Sequence, residues 1–271
     1  MKDILNTLSE IEYSGRGIIL GMTPDGKEFI AYSLTGRSDP SQARRLEYDQ
    51  ETQVIRTEVT DKKQLEKGSP ALLLYPALIA KDDYFIASNG GQTDLIYTAL
   101  RNQLTLGSGI SPIAVLGLAF SQPHYVYDSK EKRFIDLAIY EPDQPIYTPR
   151  ISACIGRGTA AMHIVSRLED GGSIPYFWKY FWNIKLEPGK GKLLMTYKGG
   201  NEKPLVLSFD GEPLDVKIES NIPDNIVCDI FNGIQHGSKA EENFGVAAAV
   251  LMRFPDHIQA KHINRYDRER H

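Results

Sequence analysis

Gly17-Ile18-Ile19-Leu20-Gly21, then Thr23-Pro24-Asp25-Gly26-Lys27, then Glu28-Phe29-Ile30-Ala31-Tyr32-Ser33-Leu34 reads as two apolar runs around a tight turn. Proline presets a turn backbone angle, and aspartate and glycine tolerate the conformations that follow, so the segment is a β-hairpin. Its second strand hands Gly36-Arg37-Ser38 to a loop, with Arg44-Arg45 just after it. Before the hairpin, Ile4, Leu5, Leu8 and Ile11 recur at helical spacing and predict a short amphipathic helix over Lys2 to Ile11.

Further along, Gln53 to Val59 and Tyr84 to Ser88 read as strands. Ala71 to Ala80 is apolar but broken by Pro76, which makes it an edge strand or two pieces. Asn89-Gly90-Gly91-Gln92-Thr93 reads as a strand-to-helix turn, with Asp94 as N-cap of a helix reaching Leu104. Strands are expected at Ile113 to Phe120, Tyr125 to Asp128, Arg133 to Tyr140, Arg150 to Ile155, Ala160 to Val165, Lys192 to Tyr197 and Leu205 to Phe209. The aromatic segment Ser173 to Ile184 reads as core or subunit interface, Asp224 to Ile234 as a helix, and Asn243 to Phe254 as a strand. The charged tail from Asn264 to His271 reads as solvated and without chemistry. Neither a repeat nor a low-complexity linker interrupts the 271 residues. The expectation is one α+β domain over 1-271, built as two stacked, mainly antiparallel sheets between helices.

The chain carries 31 Lys and Arg against 35 Asp and Glu, a formal charge of -4, which supplies no long-range field for nucleic acid or an anionic membrane. No stretch approaches the ~20 apolar residues of a membrane span, and the first eight residues lack a secretory pattern, so a cytoplasmic location is expected. The two cysteines, Cys154 and Cys228, lie in apolar surroundings and read as reduced thiols. The six histidines show no ligand spacing, so no metal is expected. Neither a P-loop nor a convincing dinucleotide fingerprint is present, leaving side chains and helix ends to hold any phosphate.

Arginine forks match phosphate and carboxylate bidentately, so an acidic chain that keeps arginines and amides beside glycine turns points to a small, planar, anionic ligand. Arg37 and Arg45 either clamp a phosphate or pair with Asp39, Glu47 or Asp49. Asn89, Gly90, Gln92 and Thr93 offer neutral donors and acceptors beside a backbone that a ligand can approach, or else form a plain connector. Glu141 and Arg150, nine positions apart, form either a structural ion pair or a proton-moving carboxylate with an oxyanion-steadying guanidinium. Arg16 and Arg157, each between glycines, are weaker candidates.

Six ordered pieces carry a resemblance: Tyr13-Ser14-Gly15-Arg16-Gly17, Gly21-Met22-Thr23-Pro24-Asp25-Gly26, Ala31-Tyr32, Gly36-Arg37-Ser38, Ser88-Asn89-Gly90-Gly91-Gln92-Thr93-Asp94 and Thr148-Pro149-Arg150-Ile151. Together they resemble the archaeal-type IMP cyclohydrolase family, whereas 168-271 is less recognisable. The resemblance implies a four-layer αββα sandwich like the N-terminal nucleophile hydrolases. It also implies dehydrative ring closure of FAICAR, a formamidoimidazole carboxamide ribonucleotide, to IMP in purine biosynthesis, with no folate, metal or other cofactor. On this reading Glu141, Arg150, Asn89 and Asp94 are catalytic, and Arg37, Ser38, Arg45, Gly90, Gln92, Thr93, Thr148 and Arg16 bind substrate, with Glu141 and Arg45 resting on the chemistry of the reaction and not on a matched segment. The partner is the small-molecule nucleotide, and a homo-oligomer is compatible with the sequence. Two rival readings stay open: an N-terminal nucleophile amidohydrolase using Ser14 after processing, and a purine nucleotide-binding protein without turnover.

Overall fold

A computed structural model describes residues 1–61, 63, 70–107, 109–168, 176–201, 207–236 and 242–268. The hairpin forms as read: β2 (Arg16–Met22) and β3 (Glu28–Thr35) pair antiparallel from Arg16↔Leu34 to Met22↔Glu28. Its turn closes through Thr23, whose backbone N-H donates to the Lys27 carbonyl at 2.9 Å and whose hydroxyl accepts from the Lys27 N-H at 2.8 Å. Gly26 sits at φ +90°, a conformation only glycine takes freely.

Around this hairpin grows a sheet that also holds β1 (Lys2–Asp3), β13 (Lys190–Met195), β14 (Leu214–Lys217), β15 (Gly245–Arg253) and β16 (Ile258–Asn264). The strand order is β1-β14-β13-β2-β3-β15-β16. A second sheet runs β12-β11-β10-β7-β6-β5-β4, from β4 (Arg44–Asp49), β5 (Val54–Val59), β6 (Pro76–Lys81), β7 (Tyr84–Ser88), β10 (Arg150–Gly156), β11 (Thr159–Arg167) and β12 (Phe177–Ile184). Every neighbouring pair is antiparallel except β1 with β14. A separate small hairpin joins β8 (Tyr125–Asp128) to β9 (Arg133–Asp136).

The sheets stack through one continuous apolar cluster that draws residues from Ile4 to Met252, including Ile18, Leu20, Ile30, Phe85, Ile151, Ala153 and Met162. On the first sheet lie α1 (Ile4–Ser9) and α6 (Pro223–Gly233), which pack on each other. On the second lie α4 (Gln92–Thr105) and α5 (Pro112–Ala119), whose Ile96, Leu100, Val115 and Leu116 meet Ile79, Ile86, Cys154 and Ala161. Short helical turns α2 (Asp39–Gln42), α3 (Pro70–Leu73) and α7 (Arg265–Arg268) fill connections.

Several expectations change: the strand expected over Arg133 to Tyr140 ends at Asp136, and of Leu205 to Phe209 the described residues 207–209 make only an isolated bridge, Ser208 to Tyr197. Ile113 to Phe120 is helix α5, not a strand: Pro112 occupies the first turn, where a missing N-H costs nothing, and so short an apolar run carries no distinguishing period. Pro76 does divide its segment in two, but the strand it opens lies inside the sheet, between β5 and β7; as first residue it gives up little of the ladder. Asp94 is not a helix cap, because α4 begins at Gln92 with Gly91 before it. The tail is anchored up to Arg268: buried Asn264 bonds both backbone groups of Leu46, joining β16 to β4, and Arg265 donates to the Asn243 carbonyl at 3.0 Å. The beginnings of the expected segments Ser173 to Ile184 and Leu205 to Phe209, and the last residues of the tail, lie outside the described residues.

Candidate active site

The ends of β3, β7 and β13 and the beginnings of β2, β4 and β10 meet at one end of the stacked sheets. After β7 the chain turns through Asn89-Gly90-Gly91 into α4. Buried Asn89 donates to the Pro149 carbonyl at 2.8 Å, and its oxygen accepts from the Ile151 N-H and the Gln92 amide, both at 2.8 Å. Its amide is thereby committed to holding the start of β10 in place. Gly90 lies so close to that strand that a Cβ there would meet the Arg150 Nη1 at 2.6 Å and the Glu141 Oε1 at 3.2 Å. Thr93 is bound inward to the Pro76 and Gly90 carbonyls at 2.6 and 2.9 Å.

Arg150 is fully buried. Its Nε donates to the Ile139 carbonyl at 2.8 Å, and its Nη1 to the Gln92 oxygen at 3.0 Å and to Glu141 at 3.4 Å. Its Nη2 is buried without a partner, so the guanidinium retains an unused donor. Glu141 is held opposite by its own N-H, which bonds the Thr148 carbonyl at 2.8 Å. Burial raises the Glu141 carboxyl from its ordinary 4.5 to about 7, against the pull of Arg150, Arg16 and Arg44. At 3.4 Å the ion pair is too long to offset desolvation. A carboxyl poised near neutrality can both give and take a proton.

Glu141 forms part of the wall of a cavity of about 560 Å³ that is also lined by Tyr13, Arg16, Arg37, Ser38, Asp143, Thr148 and Tyr197. Arg37 lies over the Tyr13 ring at 4.7 Å and bonds Asn201 at 2.8 Å. Tyr13 stacks on Tyr197, with ring centroids 5.5 Å apart. Behind this wall, between the sheets, Arg44 is 1% exposed; its Nε bonds the Ser41 carbonyl at 3.1 Å while Nη1 and Nη2 have no partner. The bonded phenols of Tyr32 and Tyr75 lie near both Arg16 and Arg44. Among the described residues neither arginine has a carboxylate within ion-pair distance, and Glu141 and Asp143 are the acidic groups that face Arg16 across the cavity.

The structure thus brings Arg16, Arg37, Ser38, Glu141 and Thr148 to one cavity, with Arg150, Gln92, Gly90 and Asn89 directly behind Glu141. Three expected residues are elsewhere, among them Thr93, which is turned inward to the Pro76 and Gly90 carbonyls. Arg45 alternates with Arg44 and Leu46 along β4, faces away from the intersheet core, and pairs with Glu47. Asp94 is exposed on the first turn of α4, where Arg56 is the charge that acts on it. Sequence reasoning missed Arg44, Asp143 and Tyr197. The Arg44-Arg45 doublet contained the signal, but without β4 there was no register to choose between them.

Cys154 is fully buried, and burial pushes its thiol upward, away from any nucleophilic form. His163 stacks on Phe120 at 4.0 Å with the tilted Phe181 ring also on it at 4.4 Å, and burial lowers the imidazole to about 3. Arg157 lines a different cavity, with Asp83 and Arg253. Among the described residues no three His, Cys, Asp or Glu converge as a metal site, and no helix is long and apolar enough to cross a membrane. Ser14 is 3% exposed, and the residues before it are built into the fold: Tyr13 donates to the Gly199 carbonyl at 3.0 Å, and α1 buries Ile4 and Leu8.

A family model described as IMP cyclohydrolase-like protein matches residues 13–116. The chain is 24% identical over 201 residues to an IMP cyclohydrolase of Methanococcus maripaludis strain C7, covering 74% of this chain and 82% of the relative. It is 22% identical to the IMP cyclohydrolase of strain C6, over 70% of this chain and 76% of that one. The strain S2 enzyme of the same name is 24% identical over 69% and 75%. These likenesses agree with the ordered segments from Tyr13 to Asp94, and the chain is similar to the IMP cyclohydrolases of Methanococcus maripaludis.

Proposed function

We propose that this protein closes FAICAR to IMP with loss of water, a step of purine biosynthesis, without folate or metal. The observation that carries the reading is the buried Glu141–Arg150 pair at the wall of a cavity that also holds Arg16 and Arg37, with the Glu141 carboxyl raised to about 7. Ring closure needs the carboxamide nitrogen brought onto the formyl carbon, the oxygen's growing charge stabilised, and protons moved at neutral pH. Arg150, directly behind Glu141, keeps a buried, unpartnered donor whose charge favours the growing oxyanion, and Glu141 on the wall has the proton affinity. Arg16 and Arg37 serve the phosphate, with the buried Arg44 adding charge behind them. Ser38 and Thr148 line the same substrate pocket, while Gly90, Gln92 and Thr93 shape the turn behind it. Asn89 is a positioning residue that fixes the approach of β10.

The same reading treats 1-271 as one cytoplasmic domain and the layered sheets as an N-terminal nucleophile hydrolase-like αββα sandwich in which Ser14 is not a nucleophile. The test is to add purified protein to FAICAR in chelator and without folate and to follow IMP by absorbance. Time-dependent, enzyme-proportional IMP is expected; binding of IMP without any cyclisation would replace the reading with a nucleotide-binding protein.

A further inference from the structure

Three side chains on the cavity wall form a continuous hydrogen-bonded chain that the pairing of Glu141 with Arg150 leaves unused. The Thr148 backbone N-H and hydroxyl both donate to the Asp143 carboxylate, at 2.7 and 2.6 Å. The Tyr197 hydroxyl lies 2.8 Å from the Thr148 hydroxyl. Because the single Thr148 proton is spent on Asp143, Tyr197 must be the donor to Thr148. The Tyr197 oxygen therefore keeps lone pairs for the cavity, where it can accept an N-H. All three residues line that cavity.

We propose that Tyr197, Thr148 and Asp143 are a proton relay that draws the proton from the attacking amide nitrogen, while Glu141 serves the oxygen. The proposal rests on the FAICAR reading and assigns its two proton transfers to two separate groups. As the new C-N bond forms, the formyl π pair moves to oxygen. The nitrogen's proton passes to Tyr197, that of Tyr197 to Thr148, and that of Thr148 to Asp143, while the Glu141 carboxyl protonates the oxygen. In the second stage the C-O bond breaks. The former formamide N-H gives its proton to Glu141, and the Asp143 proton returns along the chain to the departing hydroxyl, which leaves as water. Attacking nitrogen, oxygen and formamide nitrogen are all bonded to one carbon, so neither group needs to move between stages. Both carboxyls end as they began.

The surroundings suit these roles. Asp143 faces Arg16 from β2 and Glu141, Arg150 and Tyr197 around the cavity, and burial raises its carboxyl, which favours its taking a proton. Tyr197 is pushed up by burial and by Tyr13, with Arg16 opposing, so it passes a proton on rather than ionising.

The test is steady-state kinetics on FAICAR across pH for the wild type, Tyr197→Phe, Thr148→Val, Thr148→Ser and Asp143→Asn, with a melt of each. Tyr197→Phe keeps the ring stacked on Tyr13. It, Thr148→Val and Asp143→Asn should each lower kcat on the order of 10²-fold, with KM within about threefold. The double variant Tyr197→Phe/Thr148→Val should lose no more than the worse single one, because a chain breaks once. Thr148→Ser should recover most of the rate. Raised KM with kcat held, losses that multiply, or a Tyr197→Phe enzyme within threefold of wild-type kcat would overturn the relay and leave ring closure standing. Should Tyr197→Phe not fold, Thr148→Val and Asp143→Asn decide by the same criteria. A wild type that forms no IMP would remove both.

Discussion

Replacing Glu141 by glutamine should make the protein more stable above neutral pH while abolishing turnover. Burial holds the carboxyl near 7 in the folded chain, whereas an unfolded glutamate titrates near its ordinary 4.5. Between those values the folded state binds more protons than the unfolded state, so stability falls as pH rises through the window and levels off above it. At about 1.4 kcal/mol for each pH unit of difference, the ionised carboxylate costs the wild type about 3 kcal/mol at pH 8. Glutamine mimics the protonated carboxyl in size and neutrality and carries no such cost. It should match the wild type near pH 4 and gain about 3 kcal/mol at pH 8, on the order of 5–10 °C in Tm for a chain of this length. Arg150 does not reverse the sign, because its 3.4 Å contact already enters the balance and loses to desolvation. Paired calorimetric melts at pH 4 and pH 8 measure the effect. A glutamine variant no more stable than wild type at pH 8, or a gap of equal size at both pH values, would refute the buried, near-neutral carboxyl.

Arg37→Ala should raise KM at least tenfold with little change in kcat, since Arg37 lines the cavity away from Arg150; Arg45→Ala, on the outer face of β4, should leave both constants within twofold. Steady-state kinetics of the two variants separate the arginines. Gly90→Ala would place its methyl 2.6 Å from the Arg150 Nη1, displacing the guanidinium from Glu141. It should cost about 1–3 kcal/mol of stability and lower kcat on the order of 10–100-fold, checked by denaturant melts and turnover.

The hairpin was legible because turn chemistry and strand composition agree over Thr23 to Lys27, and α6 because its apolar residues repeat at helical spacing up to Asn232-Gly233. Arg16, Arg37, Glu141 and Thr148, which line one cavity, could be singled out in the sequence because each sits beside a glycine or proline. Strand β4 carries alternating polar side chains, so its register, and with it the choice of Arg44 over Arg45, emerged only from pairing with β5. Tyr197 enters from the end of β13, 180 and more residues from Arg16 in the order of the chain, through the antiparallel β13–β2 pairing. No local pattern announces such a contact. Asp94 looked like a cap because aspartate favours that position, yet Gly91 and the turn before it started the helix earlier.

Groups from β2, the β3 end and the 139–149 segment converge on one cavity, where the proposed reaction would fold a flexible nucleotide onto itself. The most direct measurement is a crystal structure of Glu141→Gln soaked with FAICAR, trapped before ring closure. The expected density places the phosphate at Arg16 and Arg37 and the formyl oxygen within hydrogen-bond distance of Arg150, with the carboxamide nitrogen facing Tyr197. A nucleotide bound in any other cavity, or one whose formyl group points away from Arg150, would contradict it.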